Sequence, residues 1–222
     1  MDTEVGFLGS GIAPRLIRRF GFNAGSALAA NGIAANAFLV TNVAACVGGM
    51  AWMLTEWLDS RIHSIIGIAS GVIAGLVGIT PAAGYVDVAG AMCIGLGSGV
   101  VGYLCVVKLK NLIRYDDTLD AFGLHGMVGI FGVIATGIFA NPAVNGAAGL
   151  LYGNPAQVWI QLKVVLVTIA YSAIATFLVF KLCALVTRGV RVSERQEDIG
   201  MDEALHGERA FDLNDRTLCT RP

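Results

Sequence analysis

The stretch AFGLHGMVGIFGVIATGIFA, from Ala121 to Ala140, contains no lysine, arginine, aspartate or glutamate. An α-helix of about 20 apolar residues can cross the hydrocarbon core of a bilayer, so this stretch predicts a membrane-spanning helix. His125 is its one ionisable side chain. Such a group at membrane depth usually belongs to a substrate or proton pathway, although a histidine near a helix end can also lie at the interface with a carbonyl partner. The spacing alone leaves both interpretations open.

The composition indicates a membrane protein along most of the chain. Of the 222 residues, 55% are hydrophobic and 14% are charged, which excludes an ordinary soluble domain. The net charge of −1 provides no basic field for nucleic acid. The 29 glycines predict closely packed helices, because small residues let backbones approach one another. The cysteines in apolar segments are predicted to be small buried residues; they are Cys46, Cys93, Cys105 and Cys183.

Four further apolar stretches have the length of a membrane span. In lipid a backbone must satisfy its own hydrogen bonds, so each stretch is predicted to be a helix and not an open strand. The expected fold class is an all-α integral membrane protein with about five transmembrane helices. The four stretches are Ala30–Trp57, Ser64–Pro81, Val88–Val107 and Val158–Val186.

The basic residues between the predicted spans indicate the orientation of the chain. Loops 82–87 and 141–157 contain neither lysine nor arginine. The loops on the other side are basic, and the positive-inside rule makes that side cytoplasmic. We therefore expect a multi-pass protein of the cell (inner or plasma) membrane with a cytoplasmic C-terminus. The basic residues that indicate this are Arg61, Lys108, Lys110, Arg114, Arg188, Arg191 and Arg195.

Three segments differ in character. Residues 1–19 form an atypical N-terminal segment, because Arg18 and Arg19 would be costly inside a span, and we expect this segment not to cross the membrane. Residues 20–187 carry the predicted helices. Residues 188–222 form a mostly charged tail, which is either a solvated segment or a docking segment for a soluble regulator.

Two groups of residues suggest chemistry. In the helix of His125, glycines recur at every third residue and predict a packing stripe. His125 is expected on another face, with Ala121, Phe122 and Val128. Asp120 precedes this helix and could cap its free amides. Phe22 and Ser26 lie four residues apart and share a face if the segment is helical. They could hold a cation through the Phe22 ring and the Ser26 hydroxyl, or they could simply be packing residues. Ser26 lies in no GxSxG motif, so no enzyme is predicted. The glycines of the stripe are Gly123, Gly126, Gly129 and Gly132.

Taken together, these stretches resemble the Amt/Mep/Rh family of ammonium transporters, the bacterial-type Amt branch most closely. The matching motifs run in family order over about residues 20–213. They are FGFNAGSALAANG at 20–32, GLVGITPAAGY at 75–85, DD at 116–117, DAFGLHG at 120–126, TGIF at 136–139 and HGE at 206–208.

The resemblance implies a role for each matching residue. Phe22 would be one phenylalanine of an aromatic gate, Ser26 a hydroxyl of the outer recruitment site, and His125 the second member of a histidine pair in the pore. Thr80 and Ala121 would lie near the pore, and Asp120 would be a structural acid. The resemblance also implies that ammonium is the substrate, that it gives up a proton, and that ammonia passes an apolar lumen. It implies no cofactor and no metal.

The family pattern has eleven spans, built as two inverted repeats and a final helix. This sequence matches the last five, preceded by part of the second repeat's first helix. The resemblance implies that the partner histidine, the second gate phenylalanine and a recruitment tryptophan belong to the other half, so we expect this chain alone to be incomplete or inactive in transport. Two alternatives stay open: half of a split transporter, and a non-conducting assembly or regulatory subunit that joins full-length relatives or presents its tail to a PII-type signal protein. The resemblance also implies a homotrimer.

Overall fold

A computed structural model describes residues 14, 16–117, 119–187 and 189–208. It divides within the last long helix into two compact units, with the boundary after Val167. Helices and the turns between them account for the described residues, and no strand occurs among them. The predicted all-α fold class is confirmed.

The helices follow the predicted spans closely. Within the described part of the chain, α2, α4, α5 and α7 are long and apolar enough to cross a membrane, whereas α3 has 15 residues and is shorter. The bounds are 16–25 for α1, Gly32–Ser60 for α2, Ile65–Ile79 for α3, Val88–Ile113 for α4, Phe122–Phe139 for α5, Pro142–Asn145 for α6, Ala156–Thr187 for α7 and Glu194–Ile199 for α8, with a 3-10 turn at Leu150–Tyr152 and a π-turn at Asp202–His206.

Short polar side chains fix where several helices begin. Asn31, Ser64 and Asp87 each accept a hydrogen bond from the backbone N–H three residues ahead, at 2.9–3.0 Å. Because the first amides of a helix lack intrahelical partners, such caps stabilise its start. These three residues set the first turns of α2, α3 and α4.

The last turns of α4 extend beyond the predicted end at Val107. Lys108 donates a hydrogen bond to the Asp59 carboxylate at the end of α2, at 2.7 Å, and Tyr103 donates to the same group at 2.7 Å. The lysines that marked the end of the apolar run are therefore paired with acids, and the helix continues to Ile113. A hydropathy pattern alone does not reveal such pairing.

Close contacts between glycines hold α2, α3 and α4 together. A methyl group added at Gly48 would lie 2.6 Å from the main-chain oxygen of Gly71 and 2.8 Å from the Cα of Gly75. Only hydrogen atoms fit at such a crossing. The prediction that the glycine excess serves close helix packing is confirmed here.

The glycine stripe predicted on α5 is not one continuous contact. Gly132 lies against the backbone of Gly78 and Gly123 lies against Val106, but nothing is within 4 Å of a methyl group placed on Gly129. Gly129 and Gly132 both lie in the α-helical part of α5, Val128–Phe139. At about 100° per residue, glycines three residues apart drift around the helix by about 60° at each step, so the row does not stay on one contact face.

The prediction for the cysteines was mostly wrong. Cys105 is buried, whereas Cys46, Cys93 and Cys183 are exposed on their helices. In a membrane protein the outer face of a helix contacts lipid chains, which are as apolar as the interior. An apolar residue in a span therefore carries no signal for burial inside the protein.

Candidate functional site

A cavity of about 380 Å³ lies where α1, α3 and the start of α5 meet. Ile73, Leu76 and Val77 of α3 form part of its wall, and α5 contributes Leu124 and His125. Ala121 from the α5 entrance and two arginines from α1 also line it. The sequence-predicted residues His125 and Ala121 therefore share one cavity.

His125 owes its direction to the π-helical segment. Its neighbour Leu124 is 7% exposed and Val128 is fully buried, whereas the His125 side chain is exposed toward the cavity side. Val128 packs in a core cluster with Trp52, so the expected common face of His125 and Val128 is wrong. The extra residue per turn rotates the two side chains apart.

The start of α5 is capped by Asp117 and not by Asp120. The Asp117 carboxylate accepts hydrogen bonds from the N–H groups of Ala121 at 2.9 Å and Phe122 at 2.8 Å. Asp120 has a left-handed backbone, with φ of 53°, and its carboxylate lies 2.6 Å from Lys110 Nζ. The expected capping role of Asp120 is wrong, because its carboxylate is directed to Lys110. A structural role for this acid stays a prediction.

Lys110 also holds the turn that leads into α5, which the sequence did not predict. Its ammonium group also donates a hydrogen bond to the main-chain oxygen of Asp117, at 2.5 Å. Tyr115 in the same loop packs edge-on against Phe122, with ring centroids 5.5 Å apart. Burial and the nearby Asp117 charge raise the pKa of Tyr115. In the sequence, only Asp117, an acid just before an apolar run, could have indicated these contacts at the start of α5.

Thr80 lies at the end of α3 and connects it to α1. Its hydroxyl donates to the main-chain oxygen of Leu76 at 2.7 Å and accepts from Arg19 Nη1 at 3.2 Å. Arg19 is half-buried and Arg18 is exposed, so neither is enclosed without a partner or water. The predicted segment boundary after residue 19 falls inside α1, which runs unbroken over 16–25.

The predicted gate and recruitment residues lie on the exposed side of α1. Asn23 donates to the Thr41 hydroxyl at 2.9 Å in a buried contact, and Phe20 stacks on Phe38 with centroids 4.5 Å apart, so both fix α1 to α2. Phe22 is left 60% exposed. Ser26 Oγ donates to the Phe22 carbonyl at 2.6 Å, which leaves its lone pairs able to accept a hydrogen bond.

The chemical capacity of the cavity follows from its walls. Aliphatic side chains offer no compensation for a lost hydration shell, so a bare cation would be strongly disfavoured there, whereas a small neutral amine would not. An imidazole can donate or accept a hydrogen bond to such a molecule. Among the described residues, no group of histidine, cysteine and carboxylate side chains is arranged to hold a metal ion.

Residues 17–211 match the family model described as Ammonium Transporter Family. An ammonium transporter from Aquifex aeolicus is 50% identical over 194 residues, covering 87% of this chain and 45% of the relative. The ammonium transporter Amt1 of Archaeoglobus fulgidus is 49% identical over 193 residues, covering 86% of this chain and 48% of the relative. This chain therefore spans about half the length of the curated relatives it matches.

Solved structures agree with the sequence matches. The crystal structure of Saccharomyces cerevisiae Mep2 superposes with a TM-score of 0.71 at 36% identity. That alignment covers 75% of this chain and 41% of the Mep2 chain. The helical arrangement described above is thus shared with a membrane protein of about twice the matched length.

Proposed function

This chain belongs to the ammonium transporter family, and on that premise we propose that the cavity beside His125 is part of a route by which ammonia crosses the membrane. The observation that carries the proposal is the cavity itself, in which His125 and Ala121 meet the apolar face of α3. Thr80, at the end of α3, is joined to α1 next to that cavity. Residues matched to the family pattern thus converge on one space of sufficient size for a small molecule.

The species that passes is neutral ammonia and not ammonium. The walls formed by Ile73, Leu76 and Val77 cannot replace the hydration shell of a cation, and Arg18 and Arg19 add positive charge to the lining. Both features oppose a cation and leave a neutral amine unaffected. Ammonium would be held at the outer side, where Phe22 and Ser26 are available, and would transfer its proton to water there before ammonia enters the cavity.

Transport requires a second protein surface over this face of the chain. Phe22 is 60% exposed, Leu119 is 85% exposed, and the His125 side chain is also exposed. A lumen open on one side would admit lipid chains or water and could not desolvate a substrate selectively. We therefore propose that the described unit is one wall of the route, and that by itself it does not conduct. The opposite wall would come from the half of the family pattern that this sequence does not match, whether on the same or on another polypeptide.

The test is uptake of labelled methylammonium in cells that lack their own ammonium transporters. The chain is co-expressed with the part of the Aquifex aeolicus relative that it does not match. We expect uptake that falls at least tenfold when His125 is replaced by leucine, since the apolar wall remains but the imidazole is lost. His63→Leu, at an exposed loop histidine, is the matched control and is expected to retain uptake. Equal uptake by the His125→Leu and His63→Leu proteins would contradict the role of His125.

We also propose that the protein lies in the inner or plasma membrane with its C-terminus in the cytoplasm. The support is the distribution of the basic residues named above, which fall on the loop after α2, on the last turns of α4 and the loop that follows, and on the tail. Reporter fusions after Thr187 and in the loop 141–157 test this orientation. Cytoplasmic activity is expected only for the first, and the reverse pattern would contradict it.

The tail favours a second role, as a docking segment for a PII-type signal protein. The described part of the tail folds into α8 and the π-helical turn that follows it. A capping box at Ser193 begins α8, and Glu194 and Asp202 are exposed acids. A short folded and charged segment is a better recognition element than a solvated coil. Pull-down of a PII-type protein by the full chain, weakened by Glu194→Lys, would support docking. If the chain retains no PII-type protein, docking is excluded.

Sedimentation in detergent tests the homotrimer expected from the family.

A further inference from the structure

The cavity beside His125 carries two guanidinium groups, to which the transport proposal gives no ligand of their own. Arg18 and Arg19 both line it, on consecutive positions of α1. Arg19 is held in place by its hydrogen bond to the Thr80 hydroxyl at 3.2 Å. A guanidinium keeps its charge at every physiological pH and presents several donors. The cavity therefore has a fixed positive side opposite its apolar wall.

No acid neutralises this charge within the described lining, which contains no aspartate or glutamate. Two acids flank the lining residue Leu119 in the sequence, and both are engaged elsewhere. Asp117 accepts from two backbone amides, and Asp120 is paired with Lys110 at 2.6 Å. Thr80 supplies a hydroxyl oxygen to Arg19 but no charge.

We propose that this cavity binds a small monovalent anion between the guanidinium groups of Arg18 and Arg19. Two guanidinium groups that line one cavity attract an anion, and the attraction is stronger beside an apolar wall than in open water. The two charged groups supply donors in a fork geometry, and Arg19 is already oriented by Thr80. The site is open, because Arg18 is exposed and Leu119 at the rim is 85% exposed.

The walls select the class of anion. Ile73, Leu76 and Val77 offer no donors to replace lost hydration. A strongly hydrated multivalent anion such as phosphate would lose more hydration than two guanidinium groups return. Weakly hydrated monovalent anions, such as chloride and nitrate, lose less. The volume of about 380 Å³ holds such an ion together with several waters.

Chloride-35 NMR on the purified full-length chain in detergent tests the site, because exchange with a protein site broadens the chloride resonance. We expect the wild-type protein to give excess linewidth that nitrate displaces. The Arg18→Gln/Arg19→Gln protein should lose most of it. The control Arg61→Gln/Arg114→Gln removes the same charge at two exposed loop positions and should keep it. Circular dichroism and gel filtration establish that each variant is folded.

A second variant keeps the test decisive if the double arginine variant does not fold. Leu119→Glu places a carboxylate at the exposed rim without touching the core, and is expected to displace chloride as an internal competitor. Absence of nitrate-sensitive linewidth in the wild type, or equal loss in the cavity variant and its charge-matched control, would overturn the anion site. Binding is measured without transport, so its failure leaves the proposed ammonia route untouched.

Discussion

Lys110 Nζ lies 2.6 Å from Asp120 Oδ1 and 2.5 Å from the main-chain oxygen of Asp117. One ammonium group thus joins the end of α4 to the turn that leads into the helix of His125. Asp120 adopts a left-handed conformation there, with φ of 53°, which a residue other than glycine holds only when its surroundings compensate. The ion pair with Lys110 provides that compensation, and the entrance of the candidate site is held in one geometry.

Replacing Lys110 by methionine should loosen this entrance. The pair is about one-third exposed, so we expect a loss of only about 1 kcal/mol in unfolding free energy, but a clear rise in amide hydrogen exchange over residues 119–125. Lys163→Met, at an exposed lysine of α7, serves as the control. Unchanged exchange in the Lys110→Met protein would show that the ion pair does not hold the turn.

Removing the cap at Asp117 should fray the first turn of α5. The Asp117→Ala substitution leaves the amides of Ala121 and Phe122 without their acceptor, which typically costs about 1 kcal/mol. Exchange of those two amides, followed by NMR, is the measurement. Asp116→Ala, one residue earlier and exposed, should leave both amides protected; equal exchange in the two variants would assign the cap elsewhere.

The sequence was sufficient to predict the spans but not the details of the site. Apolar length and the positions of charged residues located α2, α5 and α7 to within three residues at each end, and the start but not the end of α4, because lipid imposes the same requirement on every span. The family motifs pointed to His125 and Ala121, which share the cavity. The pairing of Lys110 with Asp120 and the cap at Asp117 join residues within one short stretch of chain. They depend on the path of the loop after α4, which apolar length and charge position do not predict, so the cap was assigned to the wrong acid. The π-helical segment likewise leaves no mark in the hydropathy, so the common face of His125 and Val128 was mispredicted.

Gly48 should tolerate no side chain. A methyl group there meets the backbone of Gly71 and Gly75 at 2.6–2.9 Å, and backbone cannot move aside as a flexible side chain can. We expect Gly48→Ala to lower the unfolding free energy by about 2–3 kcal/mol or to prevent assembly of α2 with α3. Gly129→Ala, where nothing lies within 4 Å, should be neutral or slightly stabilising. Denaturation in sodium dodecyl sulphate compares the two, and equal stabilities would contradict the proposed close crossing.

The fold should lose stability in acid partly through Asp87. The Gly90 N–H, and then the Asn141 amide, donate to this carboxylate and hold its pKa below the ordinary value of 3.8. A pKa depressed on folding contributes stability above the unfolded-state value, and that contribution is lost as the pH falls through the folded-state value. Stability should therefore decline below about pH 4, and Asp87→Asn should decline less. Parallel acid profiles for the two proteins would assign the loss to other groups.

We propose that this chain supplies one wall of an ammonia route and that a second protein surface must close it. Uptake of labelled methylammonium is the most direct measurement, in cells without other transporters, for the 222-residue chain alone and together with the unmatched part of the Aquifex aeolicus relative. We predict background uptake for the chain alone and uptake more than tenfold above background for the pair. Robust uptake by the chain alone, abolished by His125→Leu, would contradict the claim.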